Sequence, residues 1–147
     1  KLNNVLLDNE SRKPKCVLDL DTVMPGLSAY DYGDSIRFGA ATAAEDEQDL
    51  SKVSMSLDLY RTFTEGFLSA CGDSLTETEI KMLPIGAKMM TLECGLRFLT
   101  DYLKGDTYFK THREGQNLDR SRTQMTLVAD MEAKMPQMEQ IIQEVLQ

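Results

Sequence analysis

The stretch KLNNVLLDNESRKPKCVLDLD, residues 1–21, decides the fold of the first part of the chain. Two short apolar runs, Val5–Leu7 and Cys16–Leu20, are separated by the polar segment Asp8–Pro14, which is rich in turn-forming residues. Apolar runs of this length joined by turn residues are typical of a β-hairpin. The dipeptide Pro25–Gly26 follows and should end the second strand. We therefore predict a β-hairpin at the start of this chain.

The next part of the chain has the spacing of helices. Asp31 is placed like a helix cap, with Asp34 three residues on, and predicts a short helix over about 31–41. From about residue 49 to residue 70, apolar side chains recur at every third or fourth position, and Gly72 follows. This pattern predicts an amphipathic helix that ends at Gly72.

Two longer helices are predicted in the second half. One opens at Thr76 and runs to about residue 104, although Pro84 and Gly86 favour an early break. The other covers about 117–146, with a kink expected at Pro136. The predicted fold class is therefore α+β, mainly α: a β-hairpin followed by a helical lobe.

Composition limits the classes of function. The 147 residues carry a net charge of −8, which disfavours nonspecific nucleic-acid binding, because phosphate contacts need an excess of Lys and Arg. No apolar run approaches the ~20 residues that a membrane-spanning helix needs. Cys16, Cys71 and Cys94 show no CxxC spacing, so we expect reduced thiols in a cytoplasmic setting. The sequence thus predicts one domain that binds neither nucleic acid nor membrane.

Oxygen ligands are predicted at one end of the hairpin. Asn4 enters the first strand and Asp19 leaves the second, so an antiparallel pairing can bring the two side chains together. Regular strand alternation would place Asp21 on the same side as Asp19. An amide oxygen and carboxylates suit Mg²⁺, which bridges the phosphates of a bound nucleotide.

This arrangement resembles a known family. Lys1-x-x-Asn4, a hairpin, two apolar residues and Asp19 match the catalytic loop and metal-binding Asp of kinase-like phosphotransferases, in which the loop reads His-x-Asp-x-Lys-x-x-Asn. The form Asp19-Leu-Asp21 and the later Ala29-Tyr-Asp-Tyr-Gly33 are similar to the aminoglycoside phosphotransferase and choline kinase family. Three segments in order, residues 16–25, 31–34 and 97–109, resemble the sugar 1-kinases of that family that act on N-acetylhexosamines.

The resemblance implies a C-terminal lobe of a protein kinase-like fold. Residues 1–24 would form the metal-binding hairpin, and residues 30–147 the helical, substrate-binding part. The cofactor would be Mg²⁺, with ATP as co-substrate. The implied site residues are Lys1 in the catalytic loop, Asn4 and Asp19 as metal ligands, Asp21 as a further ligand or a residue behind them, and Thr22, Arg97 and Tyr108 as contacts to the sugar.

The chemistry of the implied sugar contacts is reasonable. Hydroxyl groups and a guanidinium can hydrogen-bond sugar hydroxyls or an N-acetyl carbonyl. The neighbours of Arg97 are apolar, so we expect this part of its helix to be buried and Arg97 to need a polar partner there.

The implied activity is ATP-dependent phosphorylation of the anomeric hydroxyl of an N-acetylhexosamine. The catalytic Asp, the Gly-rich loop and the strand Lys of the family would precede Lys1 and are not among the 147 residues, so we expect this chain alone to be inactive. Two alternatives stay open. One is another small-molecule kinase of the same family, acting on an aminoglycoside, choline or a different sugar. The other is a noncatalytic helical interaction module.

Overall fold

The computed structural model describes residues 2–147, with nothing described of the Leu2 side chain, and consists of a small hairpin followed by four helices. The predicted α+β, mainly α architecture is confirmed. The elements in chain order are a 3-10 turn at Leu2–Asn4, β1 at Val5–Leu7, β2 at Pro14–Val17, α1 at Ser28–Gly39, a 3-10 turn at Leu50–Lys52, α2 at Leu57–Cys71, a 3-10 turn at Gly72–Ser74, α3 at Glu77–Leu103 and α4 at Gln116–Val145.

The hairpin pairs its strands in antiparallel register, with Val5 opposite Val17. The predicted first strand is confirmed, but the second was placed too late, since β2 begins at Pro14 and ends at Val17 rather than at Leu20. The reason is the backbone of Asp19, whose φ of +63° lies in the left-handed region and cannot continue a strand. The chain therefore turns away from the sheet at the residue that the metal prediction depends on.

Two helix starts differ from the predictions. Helix α1 begins at Ser28, and Leu27 precedes it without any side-chain cap, so Asp31 lies inside the first turn and caps nothing. Helix α2 begins only after Ser56, whose side chain accepts a hydrogen bond from the Leu59 amide. Residues 49–56 are instead a 3-10 turn and an extended segment, because buried Met55 is held by a β-bridge to Ala41.

Helices α3 and α4 run close to their predicted bounds. The Thr76 hydroxyl and the Glu79 carboxylate form a reciprocal capping box at the start of α3. The predicted early break is wrong, because α3 continues through Pro84 and Gly86 while packing along both α1 and α4. Helix α4 is likewise continuous across Pro136. None of the helices in residues 2–147 is long and apolar enough to cross a membrane.

The core lies between the four helices and centres on Tyr32 of α1. Its ring packs at 5.1–6.1 Å, centroid to centroid, from those of Tyr60, Phe63 and Phe67 on α2. The Tyr32 hydroxyl shares a hydrogen bond of 2.7 Å with Thr64, so this large polar ring is buried without losing its partner. Around it are the other buried apolar residues of the same cluster: Ile36, Ala40, Val53, Met55, Leu68, Leu83, Ala87, Leu127, Met131, Met138, Ile141 and Ile142.

Helices α1 and α3 approach each other through glycine. A Cβ atom on Gly86 of α3 would lie only 2.5 Å from the Ala29 carbonyl oxygen of α1. A Cβ atom on Gly33 of α1 would likewise collide with the Gly86 backbone. The two helix backbones are therefore in direct contact, and this contact fixes the position of α1 on α3.

The close approach can be tested with a matched pair of glycine substitutions. We expect Gly86→Ala to lower the free energy of unfolding by about 1–3 kcal/mol, because a methyl group is forced against backbone that cannot move aside. Gly66→Ala on α2, where a Cβ atom meets nothing within 4 Å, should instead stabilise the protein by about 0.5–1 kcal/mol through helix propensity. Urea denaturation followed by circular dichroism measures both. Equal effects at the two positions would contradict a direct contact between the backbones of α1 and α3.

Candidate functional site

The structure joins the two predicted metal ligands at the open end of the hairpin. Asn4 immediately precedes β1, and Asp19 follows β2 by two residues. The Asn4 carbonyl accepts a hydrogen bond of 2.8 Å from the Leu18 amide, which closes this end. The Asn4 side-chain amide then donates to Asp19 Oδ2 at 2.9 Å. Their proximity was predicted from the hairpin, and it is confirmed.

The conformation of Asp19 is unusual for a residue with a side chain. Its φ of +63° places it in the left-handed region, where Asp and Asn are the least strained choices after glycine. A positive φ directs the side chain back toward Asn4 instead of along the strand. Because β2 has already ended at Val17, the regular strand alternation on which the predicted placement of Asp21 depended is absent. Asp21 lies exposed in the turn that follows.

The Asn4–Asp19 pair has the chemistry of a magnesium site whose remaining ligands come from a substrate. Asn4 offers an amide oxygen and Asp19 a carboxylate, both hard donors. Residues 2–147 contain no cluster of three or more His, Cys, Asp or Glu side chains that could hold a metal by themselves. Mg²⁺ is commonly held by one or two side chains together with phosphate oxygens and water, so two protein ligands are compatible with it.

A cleft of about 490 Å³ opens between α1, α3 and the loop that connects α3 to α4. It is lined by four acidic and four basic side chains, together with aromatic and sulfur-containing ones. The lining residues are Tyr30, Asp31, Asp34, Arg37, Glu45, Met90, Glu93, Cys94, Arg97, Phe98, Phe109, Lys110 and Arg120. Mixed charge beside aromatic surface is typical of a pocket for a polar organic ligand.

The floor of the cleft is organised around Arg37. This side chain is 3% exposed, and its guanidinium donates to Asp34 at 2.8 Å and to Glu45 at 2.7 Å. Burial acts to lower the pKa of Arg37, but the carboxylates of Asp34 and Glu45 outweigh burial and raise the pKa above its ordinary value. Arg37 is therefore a fixed charge that holds α1 to the segment after it. Burial also raises the pKa of the Cys94 thiol, which stays protonated.

Arg97 and Tyr108, two of the predicted sugar contacts, lie against each other: Arg97 lines this cleft, whereas Tyr108 lines a second cleft on the other side of Arg97. The Arg97 guanidinium carbon lies 5.7 Å from the centre of the Tyr108 ring and 5.4 Å from that of Phe109. Arg97 was expected to be buried, and this is wrong: its side chain is half exposed and pairs with Glu93 at 3.6 Å. The apolar neighbours misled the prediction because they include Leu96, which also faces solvent.

Thr22 is not brought to the same place. It is exposed in the turn after the hairpin and lines neither this cleft nor the shallower one of about 470 Å³ on the other side of Arg97. The hairpin and the cleft are nevertheless neighbours, since the turn Leu2–Asn4 lies against α1, and α1 forms one wall of the cleft. Lys1, the predicted catalytic-loop residue, lies outside the described residues.

Asp101 is a residue of this site that the sequence analysis missed. It is 4% exposed, near the end of α3, and its carboxylate accepts hydrogen bonds from the backbone amides of Thr107, Tyr108 and Phe109 at 2.8–3.0 Å. The Asn117 side chain donates to it from α4 at 2.9 Å. One carboxylate thus ties the loop that carries Tyr108 to both long helices. The only sequence signal for this role of Asp101 was its position near the end of a predicted helix, a few residues before Gly105.

The hydrogen bonds to Asp101 set its protonation. Burial acts to raise the pKa of Asp101, but the amides of Phe109, Tyr108 and Thr107 stabilise the charged form and hold the pKa below its ordinary value of 3.8. A carboxyl group with a lowered pKa in the folded state stabilises the fold above its unfolded pKa. This contribution is lost as the pH falls below that value. The loop should therefore be firmly held at neutral pH and released in acid.

No protein-family model matches this chain.

The role of Asp101 predicts a local effect of substitution. In Asp101→Asn, we expect the amide hydrogens of residues 107–109 to exchange at least about tenfold faster at neutral pH, because a neutral amide accepts fewer and weaker hydrogen bonds. In the unmodified chain the same amides should lose protection as the pH drops below about 3.8. Glu114→Gln removes the same charge from an exposed position on this loop and should leave exchange unchanged. Faster exchange in both variants would mean that the change in net charge, and not the loss of the hydrogen bonds to Asp101, causes the effect.

Proposed function

We propose that this chain carries the metal-binding hairpin and the acceptor cleft of an ATP-dependent kinase that phosphorylates the anomeric hydroxyl of an N-acetylhexosamine. The observation that carries the proposal is the contact between Asn4 and Asp19, 15 residues apart in sequence and 2.9 Å apart in space. These are the two positions that the resemblance to kinase-like phosphotransferases assigns to the metal. The helical remainder is compatible with the C-terminal lobe of that fold.

Asn4 and Asp19 would hold Mg²⁺, whose chemical contribution would be positive charge to offset that of the ATP phosphates. Asp19 supplies the negative charge of the site, and Asn4 fixes the orientation of the carboxylate through its amide. Neither residue can serve as the base that accepts the proton of the sugar hydroxyl while also binding the metal. In the family this role belongs to the Asp of His-x-Asp. The single histidine of the 147 residues, His112, is followed by Arg and Glu. We therefore expect turnover only in a polypeptide that supplies that segment as well.

The charge balance of the cleft favours a neutral acceptor. Its acidic residues are largely paired within the cleft, Asp34 and Glu45 with Arg37, and Glu93 with Arg97. A cationic acceptor such as an aminoglycoside or choline would gain from an excess of free carboxylates, and the lining of four acidic and four basic residues offers none. Hydroxyl and N-acetyl groups can instead exchange hydrogen bonds with either kind of side chain. This supports the sugar kinase over the other small-molecule kinases of the same family.

The activity is tested directly by substrate profiling. A polypeptide that joins this chain to the catalytic Asp, the Gly-rich loop and the strand Lys of the family should convert an N-acetylhexosamine and Mg²⁺-ATP to the sugar 1-phosphate and ADP, whereas the 147-residue chain alone should show no turnover. Asp19→Asn should reduce kcat at least about 10³-fold through loss of metal charge, with the fold retained because Asn also tolerates a positive φ. Asp73→Asn, at an exposed position in the turn after α2, should be neutral. Phosphorylation of choline or an aminoglycoside instead would select the alternative kinase. Inactivity toward every acceptor would support a noncatalytic helical module.

The acceptor cleft can be tested separately by binding. Titration of the 15N-labelled 147-residue chain with an N-acetylhexosamine should shift the amide resonances of residues 97 and 107–110. In Arg97→Ala we expect the dissociation constant to rise about 10–100-fold, as for the loss of one or two charge-assisted hydrogen bonds. Arg122→Ala, which removes an exposed guanidinium from α4, should not change it. Equal weakening in both variants would mean that Arg97 acts only through overall charge.

A further inference from the structure

Helix α3 carries two apolar stripes on opposite sides, and only one of them is covered. The inner stripe repeats at spacings of three and four residues and is buried against α1 and α4. Its members are Pro84, Ala87, Thr91, Cys94, Phe98 and Asp101. A helix with apolar side chains all round normally has neighbours all round. In residues 2–147 the other side of α3 faces solvent.

The outer stripe of α3 follows an equally regular repeat. Its members are Met82, Ile85, Met89, Leu92, Leu96, Leu99 and Leu103, at spacings of three and four throughout. Five of them are large exposed side chains, at 41% for Met82, 51% for Met89, 39% for Leu92, 50% for Leu96 and 75% for Leu103. Alternating steps of three and four are the a and d positions of a heptad, the pattern by which two helices pack side by side. The stripe spans 22 residues, about 32 Å of helix.

The two edges of the outer stripe carry opposite charge. On the edge toward α4 are Lys81 and Lys88, and Lys88 Nζ reaches Glu132 of α4 at 3.3 Å. On the edge toward α1 is Glu93, which lines the cleft beside Tyr30. In heptad terms the lysines occupy g positions, and Glu93 occupies an e position.

We propose that the outer stripe of α3 is a dimer interface, on which α3 of a second copy of this chain packs in parallel. In a parallel pair, each g residue meets the e residue five positions further along the other helix. Lys88 would thus meet Glu93 of the second copy, twice per dimer. An antiparallel pair would instead place the two basic edges together and the two acidic edges together. The charge pattern therefore selects the parallel arrangement.

A second copy fits this face because the surface is complementary to itself. A twofold axis parallel to α3 lets the same seven residues form both sides of the contact, as in most homodimers. The apolar seam carries no charged residue between Met82 and Leu103. Together with its flanks it can bury on the order of 1,000 Å², the lower end for specific interfaces, so a micromolar dimer is expected. The other run of exposed large apolar side chains in the described residues lies in the hairpin and in the segment from Leu18 to Leu27, which is not helical and has no heptad spacing. On α2, Leu59 is exposed singly.

Sedimentation velocity of the 147-residue chain tests the interface. From about 1 to 100 µM, the weight-average mass should rise from monomer toward dimer, as for a micromolar dissociation constant. Met89→Glu and Leu96→Glu should each keep the chain monomeric over the whole concentration range, because the new carboxylate would face the same carboxylate of the second copy. Leu59→Glu, which adds the same charge at an equally exposed leucine, should dimerise like the unmodified chain. An unmodified chain that is monomeric over the whole range would overturn the proposal, as would equal disruption by Leu59→Glu.

A charge exchange tests the parallel register. Lys88→Glu and Glu93→Lys should each weaken dimerisation at least about fivefold, and the double variant should recover most of the loss, because the pair is restored with its signs reversed. Circular dichroism establishes that all variants are folded. A double variant that dimerises no better than the single ones would refute the parallel pairing. These outcomes are independent of whether the chain belongs to a kinase.

Discussion

The contact between the backbones of α1 and α3 is the constraint on which the rest of the structure depends. Gly33 and Gly86 allow the two helices to touch where any side chain would hold them apart. With α1 seated on α3, Tyr32 reaches the aromatic side chains of α2, and Arg37 reaches Glu45 in the segment beyond α1. The same seating makes α1 one wall of the charged cleft. Packing in the core and the shape of the candidate site therefore have one origin.

Two groups of hydrogen bonds form the candidate site on this scaffold. At the hairpin, a positive φ turns the Asp19 carboxylate toward Asn4, and the antiparallel register brings the two residues within hydrogen-bonding distance. At the far end of α3, Asp101 gathers three backbone amides and the Asn117 side chain, and so holds Tyr108 and Phe109 against Arg97. In both groups, polar atoms that would otherwise be costly to desolvate have hydrogen-bond partners.

Local sequence patterns account for much of the architecture. The hairpin follows from two apolar runs and a turn-rich segment, and the capping box of Thr76 and Glu79 marks the start of α3 correctly. The meeting of Asn4 and Asp19 was also predictable, because it needs only antiparallel pairing of neighbouring strands. Predictions failed where a long-range contact overrode a local preference. Met55 is drawn into a β-bridge with Ala41 and delays the start of α2, and Pro84 does not interrupt a helix that is packed along its length.

What the sequence by itself determined is the set of elements and the meeting of Asn4 and Asp19 at the end of the hairpin, since both depend on neighbours in the chain. Only the tertiary structure decided which faces of those elements are covered. Periodicity shows that α3 is apolar on two sides, but it cannot tell that the stripe with Phe98 is buried and the stripe with Leu96 is not. The same limit explains Arg97, which apolar neighbours suggested was buried and which stands at the rim of a cleft. Burial is a property of the partner surface, and that surface comes from distant residues whose positions are fixed only when the helices pack.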